Sequence, residues 1–171
     1  TYQGDIESCL TLLEVLSSQS ESEVVFTHVS FDHPLYILYS SGTTGAPKCI
    51  VHGHGGTLLQ HLKEQQLHAD VREDDRVFYF TTCSWMMWNW LISALASKAT
   101  VMLYDGSPFY PGPRALWDFA EAEKFTLFGT SAKYIEALQK VGFSPKSEHN
   151  LEALRGMAST GSPLSAEGYD F

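Results

Sequence analysis

The chain is expected to fold as an α/β protein, a layered sheet with flanking helices. Two observations predict this. Strand-like and helix-like segments alternate through the second two-thirds of its 171 residues, the order that gives parallel strands. The composition, 44% hydrophobic and 18% charged, is that of a globular chain long enough for one domain with a sizeable core.

Each element has a local reason. Residues 3–17 place Ile6, Leu10, Leu13 and Leu16 at helical spacing, with Asp5 and Glu7 near the positive end of the helix dipole. Residues 17–22 are a polar linker, and Val24 to Val29 reads as a strand before a turn at Asp32-His33-Pro34. Leu35 to Tyr39 is an apolar run bounded by Pro34 and a polar loop, the pattern of a buried strand. Cys49 to His52 reads as a second short strand. Gly55 to Ala69 predicts a helix with Leu58, Leu59, Leu62 and Leu67 inward, and Arg72 to Asp75 a charged turn. A buried strand over Arg76 to Thr82 leads to an aromatic-rich helix over Trp85 to Lys98. Ala99 to Tyr104 is the next strand, ended by Asp105-Gly106-Ser107-Pro108. Arg114 to Lys124 predicts an amphipathic helix, Phe125 to Gly129 a strand and Ser131 to Val141 a helix. Leu154 to Ser159 is a last strand before Thr160-Gly161-Ser162-Pro163 and the opening of another helix. The sequence shows no internal repeat.

The loop between the first two apolar strands carries the most chemistry. In Tyr39-Ser-Ser-Gly-Thr-Thr-Gly-Ala-Pro-Lys48, Gly42 and Gly45 free the backbone to turn and to bring N–H groups close to a ligand. Ser40, Ser41, Thr43 and Thr44 add short hydroxyl donors, and Lys48 adds a point charge suited to phosphate. Such a loop after a strand is a phosphate cradle. It is not a Walker loop, which ends in Gly-Lys-Ser/Thr at a helix N-terminus; here Pro47 precedes the lysine and a strand follows. The pattern predicts a strand–loop–strand hairpin around phosphates.

Charge narrows the partners. Net charge is −9, and residues 1–47 hold six acidic residues and no Lys or Arg, so Lys48 is the first base in the chain. That excludes a nucleic-acid partner, which needs a basic face. No apolar stretch has the length of a membrane span and no basic leader opens the chain, so no membrane-spanning segment is expected. The three cysteines, Cys9, Cys49 and Cys83, have no metal-type spacing and read as reduced thiols of a cytosolic protein. His52-Gly53-His54 lacks the further ligands a transition metal needs, Asp74-Asp75 reads as a solvated turn, and no Ser-His-Asp pattern or Gly-x-Ser-x-Gly elbow occurs. No metal-binding residue is therefore assigned. The opening Thr1 and the closing Phe171, inside a nascent helix, suggest a chain cut at both ends.

In parallel sheets ligands sit beyond the carboxyl ends of the strands. Three loops fall there: Ser84 to Asn89, Gly129-Thr130-Ser131 and Thr160 to Pro163. Trp85, Met86, Met87, Trp88 and Trp90 are a dense aromatic and thioether cluster, equally readable as helix-packing core, but Asn89 sits inside it at a strand–helix junction. Thr130 or Ser131 could equally be a helix cap.

The Tyr39–Lys48 loop resembles the signature loop of the adenylate-forming superfamily of acyl-CoA synthetases, peptide-synthetase adenylation domains and luciferases. Asp32 to Tyr39 resembles the strand leading into that loop in the acetyl-CoA-synthetase-like branch. Trp85-Met-Met-Trp-Asn-Trp90, Leu103-Tyr-Asp-Gly-Ser-Pro108 and Ala158-Ser-Thr-Gly-Ser-Pro-Leu164 are most similar to the acetoacetyl-CoA synthetases of that branch. The resemblance runs from about Phe31 to the C-terminus. It implies that residues 31–171 are part of the large N-terminal adenylation domain, truncated before its C-terminal part, with 1–30 a helix, linker and strand ahead of it.

The resemblance further implies ATP-dependent activation of a small carboxylic acid, acetoacetate, and its transfer to CoA, with Mg²⁺ as ATP's partner ion. Ser40, Ser41, Gly42, Thr43, Thr44, Gly45 and Lys48 would hold ATP phosphates. Thr160, Gly161, Ser162 and Pro163 would pass along the adenine, although acetyl-CoA synthetases have an acidic residue where Ser162 stands. Trp85, Met86, Met87, Trp88 and Asn89 would line the acyl pocket, and Gly129, Thr130 and Ser131 would lie on the CoA side. The family's catalytic lysine, ribose-binding aspartate and acidic metal contact lie outside this chain, so no catalytic residue is assigned and the chain by itself is expected to be inactive. The alternatives are an acetyl- or propionyl-CoA synthetase and a truncated, non-catalytic nucleotide-binding module.

Overall fold

A computed structural model describes residues 10–40 and 45–171. Ser41, Gly42, Thr43 and Thr44, and the expected helix before residue 10, lie outside the described residues. Two strands pair as an antiparallel hairpin, β1 (Pro34–Ser40) and β2 (Lys48–Gly53). Four more, β3 (Arg76–Tyr79), β4 (Thr100–Met102), β5 (Leu127–Ser131) and β6 (Gly156–Thr160), form a parallel sheet in the order β4-β3-β5-β6. Helices connect them: α2 (His54–Leu62), a π-helical continuation over Lys63–His68, α3 (Met86–Ile92), α4 (Ala115–Ala122), α5 (Ala132–Lys140), α6 (Pro145–Glu148) and α7 (Ala166–Tyr169). The short α1 (Leu12–Ser17) is capped by a reciprocal pair in which Thr11 accepts from the Glu14 N–H and Glu14 accepts from the Thr11 N–H. The α/β expectation and the parallel sheet are both realised.

The central strands β3 and β5 are buried on both faces, so they lack hydrophobic–polar alternation. Phe78 and Phe128 point to one face, where they join Trp117, Phe125, Tyr134 and Leu138 beneath α4 and α5. Phe78 stacks on Phe125 with centroids 4.8 Å apart, and Trp117 stacks on Phe128 at 4.5 Å and 3°. Val77, Tyr79 and Leu127 point to the other face, against Trp90, Leu91 and Ala94.

Five expectations fail here. Leu35 to Tyr39 forms a strand but not a buried one: in the two-stranded hairpin Leu35, Ile37 and Tyr39 are exposed. Val24 to Val29 forms no strand: Val24, Val25 and Phe26 are exposed, and β-propensity without a partner strand does not make a ladder. On α2 and its continuation, Leu58, Leu59 and Leu67 are exposed rather than inward. The buried face is instead Thr57, His61 and Gln65, spaced by four and held by hydrogen bonds. His61 Nδ1 meets Ser93 Oγ at 2.8 Å, and Gln65 Nε2 donates to the Trp90 carbonyl at 2.6 Å. The expected single helix over residues 85–98 changes after α3 to a 3₁₀ segment, Ser93–Ser97, ended by Lys98 at φ 58°.

The fifth correction concerns Asp75, read as a solvated turn residue. It is 7% exposed. Its Oδ2 accepts from the Arg72 N–H at 2.7 Å and from the Arg155 guanidinium, joining the start of β3 to the segment before β6. Burial pushes this carboxyl up, but hydrogen bonds from Arg155, the Arg72 N–H and Thr126, with the Arg155 charge, outweigh burial and hold it below the usual range. A carboxyl depressed in the folded state contributes stability above its unfolded value, near 3.9, that is lost as pH falls through the folded value. Asp75→Asn is therefore expected to cost about 1–3 kcal/mol at pH 7, with the gap to the parent narrowing below about pH 4. Urea unfolding at pH 7 and at pH 3 checks this; an equal gap at both pH values would contradict it.

Candidate active site

The phosphate-loop residues sit where the hairpin reverses. Two apolar runs separated by a Gly/Ser/Thr-rich loop pair as β1 and β2, with Tyr39 opposite Cys49 and Ser40 opposite Lys48. Ser40 and Lys48 thus form the last pair of the ladder, flanking the loop between them, with Lys48 exposed. Gly45 has φ +108° and nothing within 4 Å of where a Cβ would lie, so glycine there serves backbone conformation rather than space. At the other end, the His54 N–H donates to the His33 carbonyl at 2.9 Å and the Gly55 N–H to the Phe31 carbonyl at 2.8 Å. A Cβ on Gly55 would lie 2.1 Å from the Phe31 ring, so the chain entering β1 packs directly on the start of α2.

Gly129, Thr130 and Ser131, expected as a loop, are instead the last three residues of β5, because their ladder with β6 continues to the end of both strands; the turn from Thr160 to Pro163 starts beside them. Ser131 on β5 is in register with Thr160 on β6, so Gly129-Thr130-Ser131 and the start of Thr160 to Pro163 are neighbours. Ser131 also caps α5, its hydroxyl accepting from the Tyr134 N–H at 3.3 Å. Gly161 has φ +88°, a conformation that permits the sharp departure from β6. Thr130 is 1% exposed, and its hydroxyl has no hydrogen-bond partner among the described residues.

A residue not singled out from sequence ties these ends together. Tyr79, the last residue of β3, is 4% exposed; its hydroxyl donates to the Thr130 carbonyl at 3.1 Å and lies 2.7 Å from Thr160 Oγ1. Burial pushes its phenol up, and the Thr160 contact only partly offsets this, so the group stays protonated at neutral pH. Gly129 makes room for the ring: a Cβ there would lie 2.0 Å from Tyr79 Cδ2. The signal in the sequence was a polar-tipped aromatic at the end of an otherwise apolar strand, with a glycine on the strand beside it.

The Trp–Met segment separates into three environments. Trp90 is buried, and its Nε1 donates to Glu64 at 3.2 Å; Met87 packs against the same core. Trp85 and Met86, at the junction into α3, are exposed. Trp88 lines a cavity of about 510 Å³ at the carboxyl ends of β3 and β4, together with Tyr79, Thr82, Cys83, Tyr104 and Asp105. Asn89 is half-buried, and its carbonyl accepts from Ser93 Oγ at 2.8 Å. A second cavity, about 480 Å³, adjoins Ser159, Ser162, Pro163 and Leu164. Both have the volume of small-ligand sites. Cys49 and Cys83 are free thiols. Among the described residues no group of three or more His, Cys, Asp or Glu comes together to hold a metal, and no helix is long and apolar enough to cross a membrane.

Known proteins resemble this chain in sequence and in fold. The chain is 58% identical to an acetoacetyl-coenzyme A synthetase of Rhizobium meliloti, over 99% of this chain and 27% of that protein. It is 50% identical to the acetoacetyl-CoA synthetase of Gallus gallus, over 87% of this chain and 22% of that protein. The solved acetoacetyl-CoA synthetase from Streptomyces lividans superposes with a TM-score of 0.84 at 49% identity, covering 91% of this chain and 24% of that one. The chain thus spans about a quarter of the length of the relatives it matches. With residues 4–171 matching the family's pattern, the chain belongs to the AMP-binding enzyme family.

Proposed function

We propose that this chain is part of the adenylation domain of an ATP-dependent acid–thiol ligase that activates acetoacetate and transfers it to CoA. The observation that carries the reading is the hairpin: a Gly/Ser/Thr loop whose mouth is formed by Ser40 opposite Lys48. The names of the relatives supply the acid and the thiol. A carboxylate oxygen of acetoacetate attacks the α-phosphorus of ATP, forming the acyl–phosphate bond and breaking the bond to pyrophosphate. The CoA thiol then loses its proton, its sulfur bonds the acyl carbon, and AMP departs.

In this reading Ser40, Ser41, Gly42, Thr43, Thr44, Gly45 and Lys48 bind the leaving phosphates through backbone N–H groups, hydroxyls and one ammonium. Their work is positioning and charge neutralisation. Thr160, Gly161, Ser162 and Pro163 flank the adenine, and Gly129, Thr130 and Ser131 lie toward the thiol. Trp85, Met86, Met87, Trp88 and Asn89 shape the acid's pocket; of these, Trp88 already lines a cavity and Trp85 is exposed at its helix junction. Mg²⁺ would neutralise polyphosphate charge on ATP, and no ligand for it is assigned in this chain. Residues 31–171 form the adenylation part and 1–30 precede it, in a cytosolic protein of ketone-body and lipid metabolism. Because the chain spans about a quarter of its relatives, the 171 residues alone are expected to bind nucleotide without completing the thioester.

ATP–pyrophosphate exchange across acetoacetate, butyrate, acetate and propionate, in the full-length protein carrying this sequence, tests the reading. Acetoacetate should support the highest kcat/KM; a preference for acetate or propionate would overturn the choice of acid. Asn89→Ala should lower the acetoacetate-to-butyrate ratio about tenfold, since a polar group matching the keto oxygen would be lost. An unchanged ratio would return the segment to a packing role.

A further inference from the structure

We propose that Tyr79 is a positioning residue for nucleotide use, a pin that sets the Thr160–Pro163 turn from the neighbouring strands. The inference rests on the adenylation reading for its kinetic consequence, but its geometry is independent of it. Tyr79 has one hydroxyl proton, and the Thr130 carbonyl can only accept, so that proton goes to Thr130. The contact at 2.7 Å with Thr160 Oγ1 is then donated by the threonine. One buried phenol therefore ties the ends of three adjacent strands, β3, β5 and β6.

The surroundings fix the phenol in turn. Its ring occupies the space a side chain at residue 129 would take, and it meets Trp90 edge-on with centroids 6.1 Å apart. Trp90 is held by Glu64 and Gln65. Residue 160 is the last of β6, and Gly161 follows at φ +88°, so the side chain of Thr160 is the final anchor before the backbone turns away. Thr160 is itself exposed, so without the phenol its hydroxyl turns to water and the start of the turn is no longer set from β3 and β5.

Tyr79→Phe keeps the ring and removes the pin; Thr160→Val removes the other half. In the full-length protein carrying this sequence, each should raise the KM for ATP about 3- to 10-fold. The kcat should stay within about twofold, because nucleotide placement is what is loosened. Thr160, unlike Tyr79, lies off the Trp88 cavity, so in Thr160→Val the KM for acetoacetate should also move little. The double variant should be no worse than the more affected single one, since both remove one interaction. Amide hydrogen exchange of residues 160–163 without substrates should be faster in all three variants, and this readout requires no turnover. Unchanged exchange, or effects on ATP KM that multiply in the double variant, would overturn the proposal. Faster exchange with no ATP-dependent activity even in the parent would keep the pin and sink the adenylation reading. Faster exchange with unchanged ATP KM in an active protein would overturn the positioning role while sparing that reading. Gly129→Ala, which displaces the ring without removing the hydroxyl, should reproduce the faster exchange; normal exchange in that variant would also contradict the pin.

Discussion

Replacing Lys48 by alanine is expected to lower kcat/KM for ATP by about 30- to 1,000-fold, a loss of about 2–4 kcal/mol of transition-state stabilisation. The acidic segment ahead of it holds no other Lys or Arg, so no cation from residues 1–47 substitutes. Lys48 pairs with Ser40 at the end of a ladder that runs back to Pro34 and Gly53, so its backbone is fixed while the residue is exposed. A compact ammonium acts on phosphate as a point charge, so Lys48→Arg should recover only part of the loss. Pyrophosphate-exchange kinetics at varied ATP would check this, and the KM for acetoacetate should move little. An unchanged kcat/KM for ATP would remove Lys48 from the site.

The second large effect concerns the sheet that carries the site. Phe128 is fully buried, stacks on Trp117 and touches Phe78, Phe125 and Tyr134 on the α4–α5 face. Phe128→Ala should cost about 3–5 kcal/mol, from lost transfer free energy and from the cavity that close-packed neighbours cannot fill. For a chain of this size that is a fall in Tm of roughly 6–20 °C. Leu58→Ala, on an exposed helix face, should stay within about 0.5 kcal/mol. Calorimetry on both variants decides; similar losses would show that the core lies elsewhere.

What the sequence made legible had local causes. The hairpin was readable because a loop rich in Gly, Ser and Thr separates two apolar runs, and the fold pairs those runs with Ser40 against Lys48. The parallel sheet was readable because helices and apolar strands alternate, which leaves few topologies. The meeting of Gly129–Ser131 with the start of Thr160–Pro163 followed from the same rule about carboxyl ends, although Gly129 to Ser131 is strand rather than loop.

The misreadings came from interactions that span distance in the chain. Leucines 58, 59 and 67 suggested an inward face, but the face toward α3 was chosen by His61 and Gln65 meeting Ser93 and Trp90, 32 and 25 residues away. The switch into π geometry at Lys63 breaks the helical period before Leu67, while Leu58 and Leu59 lie ahead of it in regular helix. Asp75 looked solvated because Arg155, its partner, lies 80 residues on. Tyr79 was passed over for the same reason: its partners, Thr130 and Thr160, are remote, and one of them is a backbone carbonyl that no side-chain pattern reveals. The Trp–Met segment was legible as a cluster but not as a site, because composition does not separate buried Trp90 from exposed Trp85.

Following the acid's own oxygen tests the central claim most directly. If a carboxylate oxygen attacks the α-phosphorus, it stays on that phosphorus when the CoA sulfur takes the acyl group. Turnover of acetoacetate with both carboxylate oxygens ¹⁸O, by the full-length protein carrying this sequence with ATP, Mg²⁺ and CoA, should give AMP bearing one ¹⁸O, acetoacetyl-CoA keeping the other in its thioester carbonyl, and unlabelled pyrophosphate. Release of ADP with ¹⁸O in inorganic phosphate, or thioester formation that leaves AMP unlabelled, would contradict it.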